Sequence, residues 1–268
     1  AKSADIRCPT DGKGPCSVSC TGHASNTLSP RWGGRKYARS QPQNTCHGMN
    51  IDAKQSGVAS SLSVTCKGTG DYLCKAMTID VTPSSGLVNA ASVDVSCTGS
   101  GTDKCMDAEV VTSLSPSSLA EPSPLDCSLE CSGTNACQNM QFPCPLHAEL
   151  SCSGTNACRN VKDLLCTRES TACSLACSGN GACHGSKFTC GEKACVVGCS
   201  GAESRTCESL AVHGQTASSL SFTVGAHGGQ GYNKDRYGND VSHVRHGDNA
   251  AKSADIRCPT DGKGPCSV

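Results

Sequence analysis

The chain has 268 residues, with 23 Lys and Arg against 23 Asp and Glu, 24 cysteines, and only three Phe, four Tyr and one Trp. Balanced charge gives no global attraction to nucleic acid or an anionic membrane, and no apolar run approaches the ~20 residues of a membrane-spanning helix. So few large side chains do not fill a conventional core of this size, whereas this much cysteine predicts a disulfide scaffold made in an oxidising compartment, extracellular or on a cell surface.

The chain opens on AKSADIRCPTDGKGPCSV at Ala1–Val18, and the same 18 letters return at Ala251–Val268. Identity of that length, at an offset of 250 residues, reads as one period of a tandem array followed by the start of the next. Residues 1–250 are then one solenoid repeat unit, and 251–268 begin another. Within the first copy, Ala4–Cys8 reads as an entering strand around Ile6, with Cys16 closing its turn. Cys16 also starts the strand that leads to Cys20.

From Cys20 onward a shorter motif recurs: Cys, then Ser, Thr or Lys, then Gly, a few residues and a second Cys. In the first copy a long loop, about residues 21–45, delays the second cysteine to Cys46. Later copies are CKGTGDYLC at Cys66–Cys74, CTGSGTDKC at Cys97–Cys105, CSGTNAC at both Cys131–Cys137 and Cys152–Cys158, CSGNGAC at Cys177–Cys183, and CSGAESRTC at Cys199–Cys207.

Apolar side chains lie two and four residues before the first Cys, as in Leu62 and Val64, Val93 and Val95, or Cys195 and Val197. The alternation resumes three and five residues after the second Cys, as in Met49 and Ile51, Met77 and Ile79, or Leu210 and Val212. Period-two alternation predicts short strands with one buried face. After Cys158 the pattern slips, because Val161 is followed by Asp163 where a hydrophobe is expected; a bulge would restore it through Leu164. Leu220–Val224 is a further entering strand with Val224 in the cysteine slot, and a second long loop covers about 225–250.

A strand–turn–strand unit this short cannot bury its apolar face alone, but stacked copies can. The predicted fold is all-β: a disulfide-braced parallel β-helix (β-solenoid) with long loop insertions, one period of a tandem array. A string of small EGF-like knots would need a fixed six-cysteine spacing, which is missing. No C-x2-C knuckle occurs, so the cysteines read as bridges and not as zinc ligands. The simplest pairing is local: Cys8 with Cys16, Cys20 with Cys46, Cys66 with Cys74, Cys97 with Cys105, Cys131 with Cys137, and Cys152 with Cys158. It continues as Cys166 with Cys173, Cys177 with Cys183, Cys190 with Cys195, and Cys199 with Cys207, leaving Cys127 for Cys144. Vertical bonds between rungs also satisfy the spacing, and the sequence does not choose between the two.

The turn CSGTNAC resembles the C-T-x-S-x-x-C turns of small disulfide-braced β-helical insect antifreeze proteins, whose ice-binding ladder of T-x-T triplets is missing here. More broadly the chain resembles Cys-rich parallel β-helix repeats of surface and adhesin-type proteins, a likeness that implies architecture and no catalytic motif.

Parallel β-helices also carry polysaccharide lyases and hydrolases, which need clustered carboxylates. Asp52 and Asp80 occupy equivalent positions, with Asp94 and Asp107 on nearby strands, but Pro143, Thr189 and His213 take that place further on. No catalytic residue, cofactor or metal is therefore assigned, and the histidines from His213 to His246 lack a fixed ligand spacing. Arg31, Trp32, Arg35, Lys36, Tyr37 and Arg39 form a basic, aromatic cluster suited to a partner subunit or glycan. The functional expectation is a structural subunit of an extracellular filament or stalk, with a mechanical, protective or adhesive role. Its partners would be adjacent copies of the unit, neighbouring fibre chains or glycans. The alternatives are a glycan-binding adhesin module and, behind it, a carbohydrate-active β-helix enzyme.

Overall fold

The computed structural model describes residues 5–8, 14–22, 26–28, 38–40, 45–53, 60–81, 90–111, 126–143, 147–162, 164–166, 172–201, 205–225, 233–234, 240–241, 251–259 and 265–268. Among them every regular element is a β-strand, and no helix is long and apolar enough to cross a membrane.

Nine strands form one long sheet: Cys16–Gly22, Ser60–Gly68, Ala90–Thr98, Asp126–Ser132, His147–Ser153, Ala172–Ser178, Ala194–Ser200, Ser219–Gly225 and Cys266–Ser267, hydrogen-bonded in that order. Every pairing is parallel. Short strands build two four-stranded parallel sheets, one from Asp5–Arg7, Asn50–Asp52, Thr78–Asp80 and Glu109–Val111, the other from Leu164–Leu165, Lys187–Thr189, Ala211–His213 and Asp255–Arg257. Single bridges from Gln141 to Glu109 and to Lys162 lie between the two. Along the chain, long and short strands alternate, except between Asp126–Ser132 and His147–Ser153, where only the Gln141 bridges stand in for a short strand. Antiparallel pairs occur only inside the two long insertions, at Asn26–Leu28 with Ala38–Ser40 and at Asn233–Lys234 with Asp240–Val241, among the described residues.

Register explains why the alternation works. Val18, Val64, Val95, Leu129, Leu150, Leu175, Val197 and Phe222 share one inward column of the long sheet. Ile6, Ile51, Ile79 and Val110 share another on the first short sheet, and Leu164, Phe188, Val212 and Ile256 on the second. The intervening side chains face outward, and Cys16–Gly22 alternates buried and exposed along its whole length. All-parallel sheets normally have both faces covered. Here one face is open, its outward positions mostly Ser and Thr, and the buried face is a narrow seam filled by Val, Leu, Ile and cystine.

The turns between long and short strands form a hydrogen-bonded wall of their own. The amide of each second cysteine from Cys74 onward donates to the residue before its counterpart one rung down: Cys74 to Thr45, Cys105 to Leu73, Cys137 to Lys104, Cys158 to Ala136, Cys183 to Ala157 and Cys207 to Ala182, at 2.8–3.1 Å. Making that contact puts the cysteine in left-handed backbone geometry, as at Cys137 (φ 53°), flanked by Asn135 (φ 54°) and Asn139 (φ 57°). Asn tolerates this region better than most residues. The glycine after each first cysteine serves close approach: a Cβ on Gly68 (φ 145°) would strike the Gly22 carbonyl below it.

One expectation changes and one holds. The strand around Ile6 is not an entering strand; Ile6 registers on Ile51, so it belongs with the short strands that follow a turn, and Ile256 likewise registers on Val212. Cys8 accordingly ends a short strand and is tied to Cys16 at the start of the next long one. At the slip after Cys158, Leu164 registers on Phe188 while Lys162 bridges Gln141, so one residue is extra and Leu164, 3 % exposed, fills the core position. Asp163 itself lies outside the described residues.

Candidate functional site

The cysteines fall into two groups by position. Cys20–Cys46, Cys66–Cys74, Cys97–Cys105, Cys131–Cys137, Cys152–Cys158, Cys177–Cys183 and Cys199–Cys207 each tie the end of a long strand to the turn that follows it. Cys8–Cys16, Cys166–Cys173, Cys190–Cys195 and Cys258–Cys266 tie the end of a short strand to the start of the next long one. Cys127 is also disulfide-bonded, and Cys144 lies outside the described residues. Two groups of sulfurs, Cys20, Cys46 and Cys74, and Cys66, Cys74 and Cys105, lie within 4.8 Å of one another. All five are in disulfides, which removes the thiolate a metal would require.

Polar ladders run up the turns. Asn156 donates to Asn135 at 3.1 Å, which donates to Asp103 at 2.8 Å; in parallel, Asn160 donates to Asn139 at 3.3 Å, which donates to Asp107 at 3.0 Å. Inside the seam, Lys104 is fully buried and its Nζ donates to the carbonyls of Gly101 (2.6 Å) and Gly99 (3.1 Å). Burial holds its pKa below the usual lysine range, partly opposed by the charge of Asp71. At the equivalent turn position Thr206 donates its hydroxyl to the Gly179 carbonyl at 2.6 Å. The repeated N-x-x-x-N of the two CSGTNAC turns signals the amide ladders in the sequence; nothing in the pattern signals Lys104.

The expected acidic ladder is short. Asp52 and Asp80 are in register on the first short sheet, with Val111 next. Asp94 instead sits on the long sheet, accepting from Ser128 at 2.6 Å and Ser92 at 3.4 Å, and Asp107 lies in a turn. The four are thus spread over two sheets and a turn. Of the basic cluster, Arg31, Trp32, Arg35, Lys36 and Tyr37 lie outside the described residues, while Arg39 is in the Ala38–Ser40 strand opposite Thr27.

Comparison of the chain with protein-family models, curated proteins and solved structures finds no match.

The geometry singles out the two copies of the 18-residue segment. In the first, Asp5–Arg7 pairs with Asn50–Asp52 and Cys16 registers on Leu62. In the second, Asp255–Arg257 pairs on Ala211–His213 and Cys266 registers on Leu220. One sequence therefore shows one edge in use at one end and its opposite edge in use at the other. The second copy is fastened by backbone bonds from Ala251 to Thr206 (2.7 Å), Ser209 to Lys252 (2.9 Å), Asp255 to Leu210 (3.0 Å), Gly214 to Arg257 (2.8 Å) and Leu220 to Pro265 (3.0 Å). Its Arg257 bonds Asp255 at 2.9 Å, and that hydrogen bond holds the Asp255 carboxyl below its ordinary range. His213, in register with Arg257, is held below the usual imidazole range by burial and by the charges of Arg257 and Lys187, with Asp255 opposing.

Proposed function

We propose that this chain is one period of a disulfide-braced β-solenoid and serves as a structural subunit of an extracellular filament or stalk, built from tandem 250-residue repeats. The observation that carries the reading is the complementary use of edges by the duplicated segment. Superposing Ala251–Val268 of one unit on Ala1–Val18 of the next continues all the strand columns: Val212, Ile256 and then the counterpart of Ile51; Leu220, Cys266 and then the counterpart of Leu62. A stack that continues has no exposed strand edge to aggregate. The density of disulfides supports an oxidising, extracellular setting. An outward surface of short hydroxyl side chains and a buried seam of cystine and aliphatics suit a mechanical role, with the unit repeated along one axis.

The deciding experiment is the length of the native chain under reducing, denaturing conditions. A giant species, or a ladder in multiples of the 250-residue unit, is expected. A single species near 27.3 kDa would sink the proposal.

A further inference from the structure

The coil at the joint departs from the other described coils in two ways. Val224 takes the register position of Cys199, and Ala251 takes that of Cys207. Ala251 and Cys207 share left-handed geometry (φ 54° and 55°), and the Ala251 amide donates to Thr206 as the Cys207 amide donates to Ala182. The cystine that closes each of seven other turns is thus replaced by valine and alanine. This happens in the one coil whose long strand belongs to one unit and whose short strand belongs to the next.

The second departure is electrostatic. On the outer side of the joint Arg257 registers on His213, Thr189 lies beneath His213, and Lys187 and Asp255 flank it on the neighbouring strands. In the first copy the same arginine, Arg7, registers on Asp52. In a continuous stack the arginine lies between Asp52 of its own unit and His213 of the preceding one. Neutral imidazole tolerates that neighbour; imidazolium repels it. Because the folded His213 resists protonation, the docked state binds fewer protons than the released one. Its stability is present above the ordinary imidazole range and is lost as pH falls through that range toward the lowered value.

We propose that the joint between successive units is a non-covalent, acid-weakened coupling whose partner is the next copy of the same unit, left unclamped by Val224 and Ala251 and sensitive to protons through His213 against Arg257. The inference rests on the tandem-stack reading and adds where such a stack parts.

Amide hydrogen exchange on the oxidised 268-residue chain, corrected for intrinsic rates, tests it at about pH 7.5 and about pH 5. The amides of Gly214, Ala251 and Asp255 are expected to be protected, but less than their interior counterparts at Cys190, Cys207 and Ala211. Acidification should cost the joint more protection than the interior. His213→Gln should abolish the extra loss, and the double variant Val224→Cys with Ala251→Cys should form a disulfide and raise joint protection at both pH values. Joint amides as protected as the interior ones, or an acid response that survives His213→Gln, would overturn the coupling while leaving the stack intact. Joint amides unprotected at every pH would overturn the stack itself.

Discussion

Asn156 donates its side-chain amide to the side-chain oxygen of Asn135 at 3.1 Å, one rung away in the stack. Asn135 in turn donates to Asp103 at 2.8 Å, so it is both acceptor and donor. Asn135→Asp keeps the left-handed backbone but sets two carboxylates side by side. We expect a loss of about 1–2 kcal/mol at neutral pH. The new pair takes up a proton more readily folded than unfolded, so the loss should shrink as pH falls below about 5. Denaturant titrations at the two pH values check this; an equal loss at both would refute it.

Gly154 has φ 114°, and a Cβ there would lie 2.7 Å from the Gly133 carbonyl oxygen and 3.0 Å from the Gly133 nitrogen. Both atoms are backbone of a neighbouring rung and have no rotamer to yield. Gly154→Ala should cost at least about 2–3 kcal/mol from backbone strain and clash together. Gly14, whose Cβ meets nothing within 4 Å, is the control; Gly14→Ala should leave the thermal midpoint almost unchanged.

The Cys177–Cys183 bridge closes a short loop, with a sequence separation of 6. Replacing both cysteines by alanine should cost about 2–3 kcal/mol on the loop-entropy estimate. The guanidinium midpoint under non-reducing conditions measures it. An unchanged midpoint would mean that the stacked turn amides, and not the cystines, hold the turn wall together.

Lys104 is buried with its ammonium on two glycine carbonyls, and burial lowers its pKa. The folded chain therefore releases its proton at lower pH than the unfolded chain does. Stability should rise with pH from the lowered folded value up to the ordinary lysine value near 10.5. Lys104→Leu, which copies Leu73 at the equivalent turn position, should remove that slope. Stability curves measured between about pH 7 and 10.5 for both chains decide it, and a slope retained in the variant would exclude Lys104 as its source.

Some of this is legible in the order of residues. Alternation around Val64 or Ile79 names the buried face because side chains of a strand switch sides at every residue. The cysteine–glycine turns announce themselves by recurrence, and the even cysteine count by chemistry. The role of Ile6 is not legible: Ala4–Cys8 alternates like either class of strand, and only its partner, Ile51, tells which sheet it joins. Lys104 is hidden for a related reason, since its hydrogen-bond partners are carbonyls, which every residue carries.

Strand faces, turn positions, disulfide-rich character and the 250-residue offset between the two copies of the 18-residue segment all follow from the order of residues, because each depends on spacing along the chain. Three relations emerge only on folding: the two copies of the segment pair through opposite edges, Asp5–Arg7 on Asn50–Asp52 and Asp255–Arg257 on Ala211–His213; Ala251 takes the backbone geometry of Cys207; and Arg257 registers on His213. Each joins residues a rung apart in space and tens of residues apart in sequence, set by parallel backbone hydrogen bonds that the letters do not display.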